Sequence, residues 1–265
     1  MPASDIYSIL TALEQSSNNT TSFGESWSQG RSAFGGLAAS FAVTAMRRLL
    51  SSPQPIRSLM VSFIAPLPPG EISVDARKLR QGRNVTQASA EVISDGGICL
   101  QAMAVFGNPR SALKISPDYV FQPLPRDQSL AFEANAKRLP AFFRYFDGCW
   151  VGGGQPFAGK LDRQLAMWVR HRAEMTSMPV ERLVTIADIP PPLILSHYDK
   201  PPLPSSSLSW SLEFVIPPED VTGDWFYLEY YLEAAADGYT QQAGKIWDES
   251  GQLCALSRQC MVYFE

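Results

Sequence analysis

Short runs of β-branched and aromatic residues recur along the chain, and the same order of runs occurs twice. The first set lies in residues 58–107 and the second in residues 207–264, and Gly, Pro or Asp turns separate the runs within each set. Such runs are typical of antiparallel strands joined by hairpins. The pattern therefore predicts two copies of one antiparallel sheet.

Turn residues align the two copies. Pro66 corresponds to Pro217, an offset of 151 residues, and Gly96 corresponds to Gly251, an offset of 155 residues. The change of offset predicts a small loop insertion in the second copy.

A candidate helix precedes each set of strands. Apolar residues recur at helical spacing from Phe34 to Leu49, and Pro53 follows the segment. In the second copy a helix is predicted to begin near Pro179, and the prolines at residues 190–192 end it at once. The second helix must therefore be short.

Prolines recur throughout residues 108–130, which predicts an extended linker between the copies. Residues 141–148 (AFFRYFDG) and 163–172 (RQLAMWVRHR) have the composition of a strand pair that opens the second copy. The glycine tract at residues 151–159 has no phosphate-loop register and predicts a flexible hairpin connection. We therefore divide the chain into an N-terminal domain (1–107), a linker (108–130) and a C-terminal domain (131–265).

Composition narrows the function classes. The 265 residues are 45% hydrophobic and only 18% charged, which indicates an ordered protein with a large core. The net charge of −4 argues against a nucleic-acid partner, because such a protein needs a basic face.

The four cysteines form no CxxC pair, and the sequence has only two histidines. No set of these residues has the spacing of zinc ligands. We interpret the cysteines as reduced, buried thiols. The N-terminal residues lack the features of a leader, and no run of about 18 apolar residues could span a membrane. We therefore expect a cytoplasmic protein.

Six segments taken together resemble the acyl-CoA thioesterase II family and its thioesterase-like relatives. The similarity covers nearly the whole chain after about residue 20 and implies an α+β double hotdog fold, in which each of two tandem copies is an antiparallel sheet wrapped on a central helix. A strand carrying the FGG of residues 34–36 is expected before the first helix. The segments are FGESWSQGRSAFGG (23–36), SFIAPLPPGE (62–71), LRQGRNV (79–85), LAMWVR (165–170), TIADIPPP (185–192) and GKIWDESGQLCALSRQ (244–259).

The resemblance also implies an activity, namely hydrolysis of acyl-CoA to free acid and CoA in lipid metabolism, without a metal or organic cofactor. In that family an Asp, a Ser or Thr, and a Gln hold the attacking water. These residues correspond to Asp188, Ser207 and Gln259. The serine is the least certain of the three, because Ser205, Ser206 and Ser209 are neighbours in the same segment.

The residues themselves support this assignment unequally. An acid such as Asp188 is more often an ordinary helix-terminal or solvent-facing residue. Gln259 is more informative, because it is an amide among apolar residues on one face of the last strand and a buried amide needs partners. By the offsets, the first copy carries Ala104 for Gln259, Ile56 for Ser207, and GGLA (35–38) near the place of Asp188. Only one of the two equivalent sites can be polar.

Four further residues are candidates for substrate binding. Gly35 and Gly36 open a helix whose backbone N–H groups could stabilise an oxyanion, although close packing of helix on sheet explains them equally well. Arg80 and Arg83 could meet CoA phosphates or simply be a solvated hairpin pair. No GxSxG motif is present, and neither His171 nor His197 is placed for a catalytic triad.

The alternative function is a non-catalytic protein that binds acyl groups or other small ligands on the same scaffold. The final strand also has apolar residues on both faces, with Leu256, Val262 and Phe264 on one and Leu253, Met261 and Tyr263 on the other. This pattern is expected where the outer face is covered, and a homodimer is the simplest cover.

Overall fold

A computed structural model describes residues 4–127, 129–132 and 139–265. Within these ranges the helices are α1 (Ile6–Gln15), α2 (Gly35–Arg48) and α3 (Pro179–Ala187). The strands are β1 (Thr20–Phe23), β2 (Ser28–Gln29), β3 (Ser32–Ala33), β4 (Ile56–Phe63), β5 (Gly70–Gln81), β6 (Val85–Ser94), β7 (Gly97–Gly107), β8 (Leu130–Ala131), β9 (Phe146–Gly153), β10 (Gln164–His171), β11 (Ser205–Phe214), β12 (Phe226–Ala236), β13 (Tyr239–Asp248) and β14 (Leu253–Tyr263).

Twelve strands form one antiparallel sheet in the order β1-β5-β6-β7-β4-β11-β14-β13-β12-β10-β9-β8. Strands β4 and β11 pair at the centre. Outward from them the order is β7, β6, β5 on one side and β14, β13, β12 on the other. The predicted strands of both copies are therefore present, and they occupy corresponding places on the two sides of the sheet.

The register of the two sides also corresponds. Ile56 of β4 pairs with Phe106 of β7, and Ser207 of β11 pairs with Met261 of β14. In both pairs the register shifts by one residue immediately afterwards. A β-bulge at the same position in each copy supports the repeat that the turn residues predicted.

Helices α2 and α3 run antiparallel across the inner face of the sheet, which we define as the face whose buried side chains join the helices in the main core. Near the end of α2, Arg47 forms a 2.8 Å ion pair with Glu181 at the start of α3, and Thr44 donates to the same carboxylate. The first turn of α2 consequently faces the last turn of α3. Near Gly36 the two backbones approach so closely that a Cβ there would lie 3.0 Å from the Cα of Thr185.

Helix α1 was not predicted, although the pattern contains it. Its apolar residues recur at helical spacing on one buried face, and the side chain of Asp5 caps its first turn by accepting from Ser8 N at 2.8 Å. The buried residues are Ile6, Ile9, Leu10 and Leu13. No helix in the described ranges is long and apolar enough to cross a membrane.

Parts of two predicted strand segments, residues 34–36 and residues 141–145, are not strands in the structure. Phe34 is the residue that caps α2, and Gly35 and Gly36 are its first helical residues, so FGG does not form a strand. Residues Ala141–Tyr145 form a short 3₁₀ helix, because Phe142 and Phe143 turn into the core, and β9 begins only at Phe146. The glycine tract connects β9 to β10 as predicted.

The linker covers part of the outer face of the sheet. The described residues from 108 to 127 contain no helix or strand. Phe121 packs its ring against Trp168, Tyr227 and Trp247, the last at 5.4 Å between centroids. Leu253 belongs to this outer cluster together with Leu256.

Two predictions about burial on the last strand need correction. We expected Leu253 on the face opposite Leu256, but a bulge between Ala255 and Leu253 reverses the direction of its side chain. Cys260 lies on the outer side of β14 but outside the outer cluster, and it is only half-buried. The other three cysteines are buried, and all four are free thiols.

Candidate active site

Asp188 follows the last residue of α3 directly. Its backbone N–H still bonds to Thr185 O, and the prolines at residues 190–192 prevent the helix from continuing. The short helix therefore ends with a carboxylate at a defined place, where the end of α3 meets the start of α2.

The amide of Gln259 lies against this carboxylate. Gln259 Nε2 donates to Asp188 Oδ1 at 2.6 Å, and the side chain of Gln259 is only 3% exposed. Gln259 is on the inner face of β14, opposite Trp210 of β11. The fold thus brings two of the three predicted catalytic side chains into direct contact across 71 residues of sequence.

The N-terminus of α2 lies against the carboxylate of Asp188. A Cβ on Gly35 would lie 2.6 Å from Asp188 Oδ2, so glycine allows the carboxylate to approach the helix end. The backbone N–H of Gly36 is close enough to favour the charged form of Asp188. Unpaired N–H groups and the dipole at a helix N-terminus favour negative charge, so this end suits a carboxylate or an oxyanion.

Burial raises the pKa of Asp188 from its ordinary value to about 7. The hydrogen bond from Gln259 and the nearby N–H group of Gly36 oppose this rise, because both stabilise the charged form. A carboxylate with a pKa near neutrality can accept a proton from water and release it again at physiological pH.

The strand register separates the four candidate serines. Ser207 pairs with Met261, two residues beyond Gln259 on the same face of β14, so Ser207 shares the inner face with Gln259. Ser205 also points inward, whereas Ser206 and Ser209 are exposed on the outer face. Within the described ranges, no hydrogen bond joins the Ser207 hydroxyl to another side chain, and it remains a predicted catalytic residue.

Sequence reasoning missed Gln242. This residue lies on β13 directly opposite Gln259, is 0% exposed, and donates from Nε2 to Gln259 Oε1 at 3.0 Å. Its own Oε1 accepts from the backbone N–H of Leu193 at 3.1 Å. A polar residue within the alternating pattern of β13 was a signal, but the adjacent Gln241 gives the same signal.

The equivalent positions of the first copy are apolar. Ala104 and Ala88 pair across β7 and β6 just as Gln259 and Gln242 pair across β14 and β13. Residues 35–38 are not the equivalent of Asp188, because α2 begins there whereas Asp188 follows the end of α3. The antiparallel helices instead bring that segment to face Asp188.

The predicted arginines lie elsewhere. Phe63 of β4 lies beside Gly35 and so marks the position of the candidate site, and it pairs with Leu100 of β7. Arg80 of β5 pairs with Gln87 of β6, which pairs with Val105 of β7. Val105 is five residues from Leu100, which is about 16 Å along the strand, so Arg80 lies away from the candidate site. Arg80 and Arg83 line an open groove with Arg110. Their contact with CoA phosphates remains a prediction.

Neither histidine joins the site. His171 is buried in β10 with Nε2 2.9 Å from Thr185 Oγ1, and burial lowers its pKa to about 3, so the ring is neutral. His197 is exposed at the end of a short 3₁₀ helix.

Solved structures with a similar fold define the class. A conserved protein of unknown function with hot dog fold from Alicyclobacillus acidocaldarius matches with a TM-score of 0.81 at 18% identity, over 93% of this chain and 92% of that one. A candidate thioesterase II from Thermobifida fusca YX matches with a TM-score of 0.80 at 16% identity, over 100% and 99%. Acyl-CoA thioesterase II TesB2 from Mycobacterium marinum matches with a TM-score of 0.72 at 18% identity, over 92% of each chain. The fold is of the hotdog type.

Family matches define the protein more closely. Residues 23–107 match the acyl-CoA thioesterase N-terminal domain, and residues 121–263 match the acyl-CoA thioesterase C-terminal domain. Together they span most of the chain, so the chain belongs to the acyl-CoA thioesterase family, and the predicted resemblance is confirmed. No curated protein sequence matches it significantly.

Proposed function

We propose that this protein hydrolyses acyl-CoA to a free acid and CoA on a double hotdog scaffold, with Asp188, Ser207 and Gln259 as catalytic residues. The observation that carries the proposal is the buried contact between Asp188 and Gln259 at the N-terminus of α2. Membership of the acyl-CoA thioesterase family supports the substrate class.

The chemistry follows from the arrangement. Ionised Asp188 removes a proton from water while the water oxygen forms a bond to the thioester carbonyl carbon. The resulting oxyanion is stabilised by N–H donors, for which the first turn of α2 is suited. The C–S bond then breaks, and the proton held by Asp188 passes to the departing CoA sulfur.

Gln259 and Ser207 have positioning roles in this scheme. The Gln259 amide holds the carboxylate in one orientation, and the inward-facing hydroxyl of Ser207 can hold the water. Fixing the attacking water in line with the carbonyl reduces the entropy lost at the transition state.

The test is thioester hydrolysis, followed with a thiol reagent over acyl-CoAs of different chain length. Asp188→Asn should lower kcat by roughly 10² to 10⁴, the range for loss of a general base. Asp147→Asn is the matched control, because Asp147 is paired with Arg170 and Arg172 on the surface and should keep full activity. In the parent, kcat/KM should fall below about pH 7 as Asp188 becomes protonated.

The alternative makes the opposite prediction. A non-catalytic binding protein would hydrolyse no acyl-CoA of the panel while still binding acyl-CoA or a free acid. Equal activity of the parent and Asp188→Asn would also refute the assignment of Asp188 as the base.

A further inference from the structure

We infer that Gln242 is a positioning residue that determines which way the amide of Gln259 faces, so that the NH₂ group of Gln259 is directed at Asp188. This inference deepens the proposed function and rests on it. It is carried by a directional chain of three hydrogen bonds that begins at a backbone N–H group.

The first group of the chain cannot reverse. The N–H of Leu193 is a backbone donor and has no acceptor lone pair. It opens a short 3₁₀ helix, where N–H groups have no partner within the helix. Since it donates to Gln242 Oε1 at 3.1 Å, the Nε2 of Gln242 must face the other way.

The direction of the first hydrogen bond fixes the direction of the second and the third. Gln242 Nε2 donates to Gln259 Oε1 at 3.0 Å, which leaves the Nε2 of Gln259 to donate to Asp188 Oδ1 at 2.6 Å. A reversed Gln259 would set two NH₂ groups against each other and turn its carbonyl oxygen toward a carboxylate. Both amides are almost fully buried, so water cannot easily replace the lost partners.

The direction matters for the protonation of Asp188. A donor facing the carboxylate favours its charged form, whereas an acceptor facing it favours the protonated form. The titratable side chain that faces Asp188 in the described ranges is Tyr230, whose hydroxyl donates to Ala187 O at 2.5 Å. Gln242 therefore helps Asp188 to remain a base although burial opposes its ionisation.

The neighbouring residue offers a matched control. Gln241 precedes Gln242 on β13, and its side chain lies on the opposite face, where Nε2 is 3.9 Å from Cys260 Sγ. Gln241→Met makes the same chemical change one residue away without touching the chain of amides. It should leave both activity and pH dependence unchanged.

The experiment measures kcat/KM for acyl-CoA hydrolysis from pH 5 to 9 in the parent, Gln242→Met and Gln241→Met. Gln242→Met should move the acidic limb upward by about 0.5 to 1 pH unit, so that activity falls about threefold to tenfold at pH 6 and much less at pH 9. A merely structural defect would lower kcat/KM by the same factor at every pH, and that result would overturn the inference.

Two further measurements keep the test decisive. Gln242→Glu keeps the size and the acceptor for Leu193 N–H but, once ionised, has no donor for Gln259, so it should shift the limb in the same direction and further. The pKa of Asp188 is read independently by carbon-13 NMR of its carboxyl group without substrate. An unchanged carboxyl pKa in both Gln242 variants would refute the inference, whereas a shifted pKa in a protein that hydrolyses no acyl-CoA would refute the proposed function alone.

Discussion

The N-terminal and C-terminal sides of the sheet share strand order, register and one β-bulge, yet their inner faces differ at corresponding positions. Where the C-terminal side has Gln242 and Gln259 paired across two strands, the N-terminal side has Ala88 and Ala104. The alanines are buried and need no partner, whereas the amides form a directed chain that reaches Asp188. The comparison shows that one scaffold can accept either an apolar or a polar layer at the same place.

The apolar side still contributes to the candidate site. Its helix α2 has two glycines in the first turn, and its N-terminus faces the carboxylate of the other side. Each side therefore supplies what the other lacks: one supplies backbone donors, and the other supplies ionisable and amide side chains. Four predictions test this division.

The largest effect is expected where the two sides touch. Gly35→Ala introduces a Cβ that would lie 2.6 Å from Asp188 Oδ2 and must displace the carboxylate. Because small misplacements of catalytic groups are costly, kcat/KM should fall about 10²-fold. Gly24→Ala is the control, since a Cβ there meets nothing within 4 Å. The same Cβ would lie 3.1 Å from Phe63 Cε1, so Tm should fall by a few degrees; loss of the folded state would mean that packing, not catalysis, requires the glycine.

The second prediction exchanges the layers. Gln259→Ala should lower kcat about 10-fold to 10²-fold, less than loss of the base, because Asp188 loses its orienting donor but remains. Ala104→Gln should add no activity and should destabilise the protein by about 1 to 3 kcal/mol, since a buried amide there has no acceptor chain. Denaturant unfolding and hydrolysis assays check both variants. Unchanged stability of Ala104→Gln would show that the apolar layer tolerates polar groups.

The third prediction concerns the two faces of β11. Ser207→Ala should lower kcat about tenfold if its inward hydroxyl holds the water, whereas the exposed Ser209→Ala should behave like the parent. Steady-state kinetics of both variants distinguishes them. If only Ser205→Ala loses activity, the catalytic hydroxyl is the other inward-facing serine.

The smallest effect is on stability. Burial raises the pKa of folded Asp188 to about 7, whereas an unfolded aspartate titrates near 4, so the folded protein binds this proton more tightly. Ionisation at Asp188 therefore costs stability as pH rises from about 4 to 7. Asp188→Asn does not titrate, so its Tm relative to the parent should rise by a few degrees from pH 5 to pH 8. A Tm difference that is independent of pH would contradict the raised pKa.

Hydrophobic alternation and turn residues were sufficient to predict most of the sheet. Strand β6 (Val85–Ser94) lies within the first predicted set of runs, and the predicted short helix is α3, which stops before the prolines that suggested its end. These features are local, because strand period, turn chemistry and proline geometry act within a few residues. The same local reasoning failed where packing decided, as in the 3₁₀ turn at Ala141–Tyr145, whose phenylalanines turn into the core.

The sequence alone determined the residue types available for chemistry: one acid after a short helix, an amide in the last strand, and two glycines at the start of a helix. Only the tertiary structure decided which of them meet. Gln241 and Gln242 are indistinguishable neighbours in the sequence, yet one faces outward and the other orients Gln259. The physical reason is that successive side chains of a strand point to opposite faces, and each bulge shifts that alternation by one residue. Which glutamine reaches Asp188 therefore depends on register across the whole sheet.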